Sequence, residues 1–343
     1  MPPVIELGMH NMANDFAVEV KDLKVYFEIK RGLVEDLFSK KKKILRAVDG
    51  VSFNIAKGEI LSLVGESGSG KTTTGKAILH LVETEMGEIR FFGEEVKPKD
   101  RQFMRRFRQK AQMIFQDPYQ SVNPRDIVLD IVAEPLDVNH LVKTRTERIT
   151  RVKLALEQAG LEPPEDFYHR YPHELSGGQR QRVVLASSMI MDPTFIVADE
   201  PISMLDASIR TGILRLMLDL RDTKQLSYLF ITHDLSLAWL ISDRIAIMYL
   251  GKIMEIGNAD EIIHRGAHPY TKALTAIMPT PGVNKRQERI VLPGETPNPT
   301  EDLRGCKFNT RGPLVHDLCW EKSPELMEIE NDHLVACHLA NKL

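Results

Sequence analysis

Eight consecutive residues, Gly65-Glu66-Ser67-Gly68-Ser69-Gly70-Lys71-Thr72, fit the pattern G-x-x-x-x-G-K-[ST], and Thr73 follows them. Each residue type in the run suits an anion. Small residues let successive backbone N–H groups curl around phosphate oxygens, which side chains would obstruct. Lys71 adds a point charge for the β- and γ-phosphates, and the Thr72 hydroxyl can ligate Mg²⁺. A helix opening at Lys71 would point its positive end at the same oxygens. The segment is therefore read as a nucleotide-phosphate cradle.

Two further stretches carry matching chemistry. The apolar run Phe195-Ile196-Val197-Ala198 ends in Asp199-Glu200, placing one acid for a Mg²⁺ ion and a second that could polarise an attacking water. Leu175-Ser176-Gly177-Gly178-Gln179 precedes an apolar helical pattern through Met191 and reads as a second helix N-terminus, hence a second anion site. Two phosphate sites with only one lysine-bearing loop imply that the sites meet across a dimer.

The elements that must position these residues are visible as patterns. Phe16–Val20, Leu23–Ile29, Ala47–Ile55, Ile60–Val64 and Glu88–Phe92 read as short strands, with a helix from Lys71 through Val82 after the cradle. From Asp126 to about Ala159 the period turns helical. Strand runs return at Phe195–Ala198 and Leu229–Thr232 around a helical stretch, Ser208–Thr223, the order expected of a parallel sheet with right-handed crossovers. The basic run Lys40–Lys43 reads as a solvated loop. After about His264, Pro279, Pro281, Pro293, Pro297 and Pro299 punctuate an appended segment that holds every cysteine.

Composition narrows the class. The 343 residues carry a net charge of −3, unlike the strongly basic balance of a dedicated nucleic-acid binder. Three cysteines make no secreted disulfide framework, so a reducing compartment and no disulfide-linked partner are expected. No apolar run approaches the roughly 18 residues that a membrane span needs. The N-terminus lacks the charged and apolar regions of an export signal. Repeats at solenoid or propeller periods are absent.

With LSGGQ in hand, the sequence from about Phe16 to Ile263 resembles the ATP-binding cassette (ABC) family of transport ATPases. The resemblance implies an α/β P-loop NTPase core with an antiparallel β subdomain and an α-helical subdomain. In residue numbers this gives an N-terminal tail at 1–15, a cassette at 16–263 with its helical subdomain at about 117–180, and a C-terminal extension at 264–343. It assigns ATP and Mg²⁺ as ligands and ATP hydrolysis as the activity. Gln116, in Ile114-Phe115-Gln116-Asp117-Pro118, matches the glutamine that touches Mg²⁺ and relays movement to membrane subunits. Thr72, Gln116 and Asp199 would hold the metal, Glu200 would activate water, and His233, in Ile231-Thr232-His233-Asp234, would contact the γ-phosphate. Lys71 completes the catalytic set. Phe27 stands where the family stacks an aromatic ring on adenine, with Tyr26 the alternative. Ser176, Gly177, Gly178, Gln179 and Asp206 would face the ATP of the opposite subunit; Met204 stands where the family more often has Ala.

The extension is similar to that of oligopeptide/dipeptide permease ATPases in His268-Pro269-Tyr270-Thr271, Leu292 through Cys306, and Val335 through Leu339. The insert Arg31–Lys43, and Gly75 after the cradle, look more like the F-type subunit of these systems. That implies a D-type ATPase as heterodimer partner, two transmembrane permease subunits, an extracytoplasmic solute-binding protein, and a place on the cytoplasmic face of the cell membrane. Peptides are the default solute; relatives also carry oligosaccharides or metal chelates. The other classes considered are a non-transport ABC ATPase acting on DNA or ribosomes and a stand-alone P-loop kinase or GTPase. Neither fits one cassette with no long heptad run and an LSGGQ motif. Relatives with this tail carry four cysteines that resemble iron–sulfur ligands. Here Gly312 replaces one, and Cys306, Cys319 and Cys337 stand at the other three. Three thiolates leave a [4Fe–4S] site open or require another ligand, for which His316 is nearest in sequence. Free thiols without a cluster are the competing reading, and zinc is a third.

Overall fold

A computed structural model describes residues 15–29, 43–118, 121–278, 292–301 and 303–340. The N-terminal residues 1–14, most of the Arg31–Lys43 insert with its basic run, and Pro279 and Pro281 lie outside the described residues.

The chain opens with two long strands, β1 (Phe16–Ile29) and β2 (Lys43–Ala56), paired antiparallel. Then come β3 (Ile60–Val64), α1 (Lys71–Ile78), β4 (Met86–Phe91), β5 (Glu94–Glu95), α2 (Arg101–Lys110) and β6 (Ala111–Ile114). A helical layer follows, made of α3 (Val128–Val138), α4 (Arg145–Gln158) and α5 (Gly177–Met189). Alternation resumes with β7 (Phe195–Asp199), α6 (Ala207–Lys224), β8 (Ser227–Thr232), α7 (Leu235–Ile241), β9 (Arg244–Tyr249) and β10 (Lys252–Asn258). The chain ends in α8 (Ala259–Arg265), α9 (Pro269–Ala276), α10 (Asp317–Glu321), β11 (Met327–Glu330) and β12 (His333–Val335).

Among the described residues these strands make two sheets. One has the order β2-β1-β4-β5 and is antiparallel; the larger has the order β11-β12-β10-β9-β3-β8-β7-β6. In the larger sheet β6, β7, β8, β3 and β9 run parallel. Every residue of β3, β7 and β8 is buried, which is why these runs read as continuously apolar rather than alternating. One core cluster lies between the two sheets, around Leu61, Val197, Leu229 and Ile78. Another lies on the opposite face under α5 and α6, around Leu185, Ile213 and Phe230. The helical layer has its own core of Val132, Leu136, Val152 and Leu156.

Three local expectations are refined. The helix after the cradle stops at Ile78, not Val82, because the chain turns through His80 at a positive φ of 50°. The helical stretch from Asp126 to Ala159 is two helices; His140 adopts a positive φ of 54° after α3, and Thr144 then caps α4 by accepting the Glu147 N–H at 3.2 Å. The C-terminal segment is not merely appended, since β12 pairs with β10 and extends the core sheet. Its ring cluster of Tyr249, Tyr270 and Phe308 lies under the same core sheet.

Candidate functional site

The cradle connects β3 to α1, and its last glycine is required by geometry. Gly70 has φ +105°, and a Cβ there would lie 2.1 Å from the Ala47 carbonyl oxygen on β2. Only a residue without a side chain turns the chain this tightly against a neighbouring strand. The loop is also pinned by the Gly251 N–H, which donates to the Ser69 carbonyl at 2.8 Å. Lys71 folds back over the loop, donating to the carbonyls of Gly65 at 2.8 Å and Glu66 at 2.9 Å. Burial pushes its ammonium below the usual lysine range, against the attraction of Glu200, Asp199 and Glu66. A phosphate would restore that charge, so the residues fit a nucleotide.

The Thr72 hydroxyl donates to Asp199 Oδ1 at 3.0 Å. Burial raises the Asp199 carboxyl, and the charge of Glu200 adds to that, while the Thr72 bond opposes it. A hydroxyl, a carboxylate and the nearby Gln116 amide form a set of hard oxygen donors, which fits Mg²⁺. Beyond Asp199 the chain bends sharply: Glu200 has φ +46°, a strained conformation for a residue with a side chain. The bend is held by the Glu200 N–H donating to Ile231 and the Ser203 hydroxyl donating to the Glu200 carbonyl. It aims the Glu200 carboxylate between two partners, His233 Nδ1 at 2.9 Å and Gln116 Nε2 at 3.1 Å. The tips of β6, β7 and β8 thus converge on one carboxylate.

Ser176 and Gln179 form a reciprocal cap on α5, each accepting the other's backbone N–H, at 3.2 and 3.0 Å. Gly178 is buried against α6, where a Cβ would lie 2.6 Å from Ile209 Cγ2. The N-terminus of α5 opens with Ser176 and Gly177 accessible. The helix packs against β6, three strands from β3 in the sheet order, or about 14 Å at the usual strand spacing. The two anion sites of one chain therefore sit apart, as required if each is completed by another subunit. Asp206 precedes α6, and Met204 beside it is 62% exposed. On β1, the Tyr26 hydroxyl donates to Asp49 at 2.7 Å, whereas the neighbouring Phe27 ring is exposed.

Nothing among the described residues supports an iron–sulfur cluster on the cysteines. Cys306 and Cys319 are buried, and burial pushes the Cys306 thiol up to about 11. Cys337 is raised for the same reason. At Gly312 a Cβ would meet Val315 Cγ2 at 2.9 Å and the Phe308 carbonyl at 3.1 Å, so a fourth cysteine there is hindered. His316 Nδ1 stands 3.4 Å from Cys319 Sγ. Among the described residues, no group of three His, Cys, Asp or Glu side chains is disposed to hold a metal ion.

Sequence reasoning passed over one set of residues. The Glu66 carboxylate in the cradle accepts from Arg311 Nη1 at 3.0 and 3.2 Å and from the Thr296 hydroxyl; its N–H donates to the Tyr270 hydroxyl at 3.1 Å. These partners lie more than 200 residues away, beyond any local pattern.

Comparison with known proteins agrees with this geometry. Residues 48–203 match a family model described as ABC transporter, and residues 254–319 match one described as oligopeptide/dipeptide transporter, C-terminal region. The chain is 44% identical over 326 residues to the oligopeptide transport ATP-binding protein AppF of Bacillus subtilis (strain 168), covering 94% of this chain and 97% of that protein. It is 45% identical over 321 residues to OppF of the same strain, an oligopeptide transport ATP-binding protein, covering 93% and 95%. Among solved structures, the dimeric MJ0796, a bacterial ABC transporter cassette, superposes with a TM-score of 0.61 at 27% identity, over 71% of this chain and 98% of that one. The cbiO1 subunit of Clostridium perfringens, part of the ABC transporter complex cbiONQ, shares the fold with a TM-score of 0.61 at 24% identity, over 73% and 92%.

Proposed function

The chain belongs to the ABC transporter family of ATP-binding subunits, and from that premise we propose that it is the F-type ATPase of an importer that takes up oligopeptides or dipeptides. The family match accounts for ATP hydrolysis coupled to transport and leaves the DNA- or ribosome-directed alternative without support. The observation that carries the site assignment is the Glu200 carboxylate, held by His233 at 2.9 Å and Gln116 at 3.1 Å beside the Thr72–Asp199 pair.

In this reading the amides of Gly68 through Thr73 and the Lys71 ammonium bind the ATP phosphates, with Phe27 as the adenine platform. Thr72, Asp199 and Gln116 would hold Mg²⁺, which would supply neutralisation of the charge on the phosphate oxygens. Glu200 orients a water in line with the γ-phosphate, and His233 fixes the carboxylate while reaching toward that phosphate. Gln116, bonded to the same carboxylate, links its state to the segment after β6 that would face a membrane subunit. Ser176–Gln179 and Asp206 complete the ATP site of the paired ATPase.

The likeness of the cradle and of the Arg31–Lys43 insert to F-type subunits supports pairing with an unlike D-type ATPase beneath two permease subunits fed by a solute-binding protein. The proposed place of the chain is the cytoplasmic face of the cell membrane, against its permease subunits; among the described residues no helix is long and apolar enough to cross a membrane. The proposed boundaries are a cassette at 16–263 and an extension at 264–343. The test is uptake of a labelled tripeptide by cells carrying the transporter with either the native chain or Glu200→Gln. Loss of peptide uptake supports the solute assignment; unchanged peptide uptake, with loss confined to an oligosaccharide or a metal chelate, rejects it.

A further inference from the structure

The extension reaches the ATP site at two separate points from one short turn. Residues 306–312 fold tightly, with the N–H groups of Asn309, Arg311 and Gly312 donating to carbonyls of Cys306 and Phe308. The Cys306 N–H donates to the Cys319 carbonyl at 2.8 Å, and Phe308 seats edge-on against Tyr249. Two cations leave this turn, and both are buried. Arg311, 9% exposed, donates to both oxygens of Glu66 in the cradle, to Thr296, and lies over the Tyr249 ring. Lys307, 8% exposed, pairs with Asp49 at 3.4 Å, and Asp49 in turn accepts the Tyr26 hydroxyl on the strand that carries Phe27.

We propose that the turn 306–312 is a strut that sets the ATP site at both ends, with Arg311 and Lys307 as positioning residues for the nucleotide. The proposal rests on the assignment of ATP to the cradle. Two physical effects follow from the contacts. Arg311 neutralises Glu66, which stands in the phosphate cradle and whose backbone carbonyl accepts from Lys71. Arg311, Thr296 and Tyr270 together grip the side chain and the amide of the cradle's second residue, so the loop is fixed before ATP arrives. Lys307 holds Asp49, hence Tyr26, leaving Phe27 presented on the other side of the strand. Anchoring the tail alone would not require both cations to end on the nucleotide site.

A preset loop binds ground state and transition state alike, so its loss is expected in KM more than in kcat. The full-length chain carrying Arg311→Gln is expected to raise the ATP dissociation constant and KM about tenfold, the scale of one charge-assisted hydrogen bond, with kcat within about twofold. Arg311→Lys keeps the charge but not the fork and is expected to recover most of the loss. Lys307→Gln should raise KM about threefold. In a Glu66→Gln background, Arg311→Gln should add less than about twofold, since the partner charge is already gone. Melting temperatures are measured alongside. A lowered melting temperature with unchanged ATP affinity in Arg311→Gln overturns the proposal, as does an equal loss in both backgrounds. Should Arg311→Gln not fold, Lys307→Gln decides: unchanged ATP affinity and KM in that variant overturn the proposal. If the native chain itself does not bind ATP, the nucleotide assignment fails, an outcome distinct from failure of the strut.

Discussion

His268 makes the attachment of the extension dependent on pH in a way that can be calculated. It is almost wholly buried at the N-cap of α9, where Nδ1 accepts the Tyr270 N–H at 3.0 Å. The backbone N–H of His268 donates to Glu255, a fully buried carboxylate that also holds His333 at 2.7 Å. Burial pushes the His268 pKa from 6.5 down to about 4, and a proton on Nδ1 would replace the lone pair that caps the helix. The unfolded chain takes up this proton near pH 6.5 and the folded chain near 4, so stability is complete above 6.5 and lost as pH falls between those values. At 1.36 kcal/mol per pH unit the loss is about 2 kcal/mol by pH 5 and about 3 kcal/mol by pH 4. His333 works in the opposite window: its bond to Glu255 raises its pKa, so its contribution is complete below 6.5 and fades as pH rises through the folded value. It therefore adds no slope on the acid side. The comparison protein is His268→Asn, because asparagine caps helices well and does not titrate. Urea unfolding is followed by the fluorescence of Trp239 and Trp320 across the acid range. The native chain should therefore lose about 3 kcal/mol more than His268→Asn by pH 4. Parallel pH profiles would refute the buried neutral histidine.

Two substitutions test the cradle and the second anion site separately. Gly70→Ala puts a Cβ 2.1 Å from the Ala47 oxygen at a φ of +105°, at a cost of about 1–2 kcal/mol for the dihedral and about 1–3 kcal/mol for the overlap. ATP titration calorimetry should show at least tenfold weaker binding; native affinity would contradict the geometry. Gly178→Val drives α5 off Ile209, 2.6 Å from the new Cβ, while the cradle three strands away is untouched. It should abolish ATPase activity in the assembled transporter and leave ATP binding by the isolated chain unchanged. Loss of binding would show that the two sites are not separate within one chain.

What could be read from the sequence is what lies close together along it. The cradle, the Asp199-Glu200 pair and LSGGQ each occupy a few consecutive residues, and each sits at the end of a strand or the start of a helix as its chemistry required. β3 was legible to the residue because a fully buried strand leaves an unbroken apolar run. Boundaries set by backbone conformation were not legible: nothing in the residue type of His80 or His140 announces a positive φ. Long-range partners were hidden for another reason. Arg311 and Glu66 are 245 positions apart, and their meeting depends on β12 joining β10 and on the ring cluster beneath the cradle. The cysteines show the converse. Their positions left a cluster and free thiols both open, and among the described residues no group of three His, Cys, Asp or Glu side chains is disposed to hold a metal ion.

The central claim is that Glu200, braced by His233 and Gln116, drives hydrolysis of ATP held in the cradle. The most direct test is phosphate release by the assembled transporter with the native chain and with Glu200→Gln, alongside retention of labelled ATP. A positioned general base is worth about 10²–10⁴ in rate, so Glu200→Gln should bind ATP as tightly as the native chain, release phosphate at least about a hundredfold more slowly, and hold ATP in a closed assembly. Near-native turnover with Glu200→Gln would contradict the account.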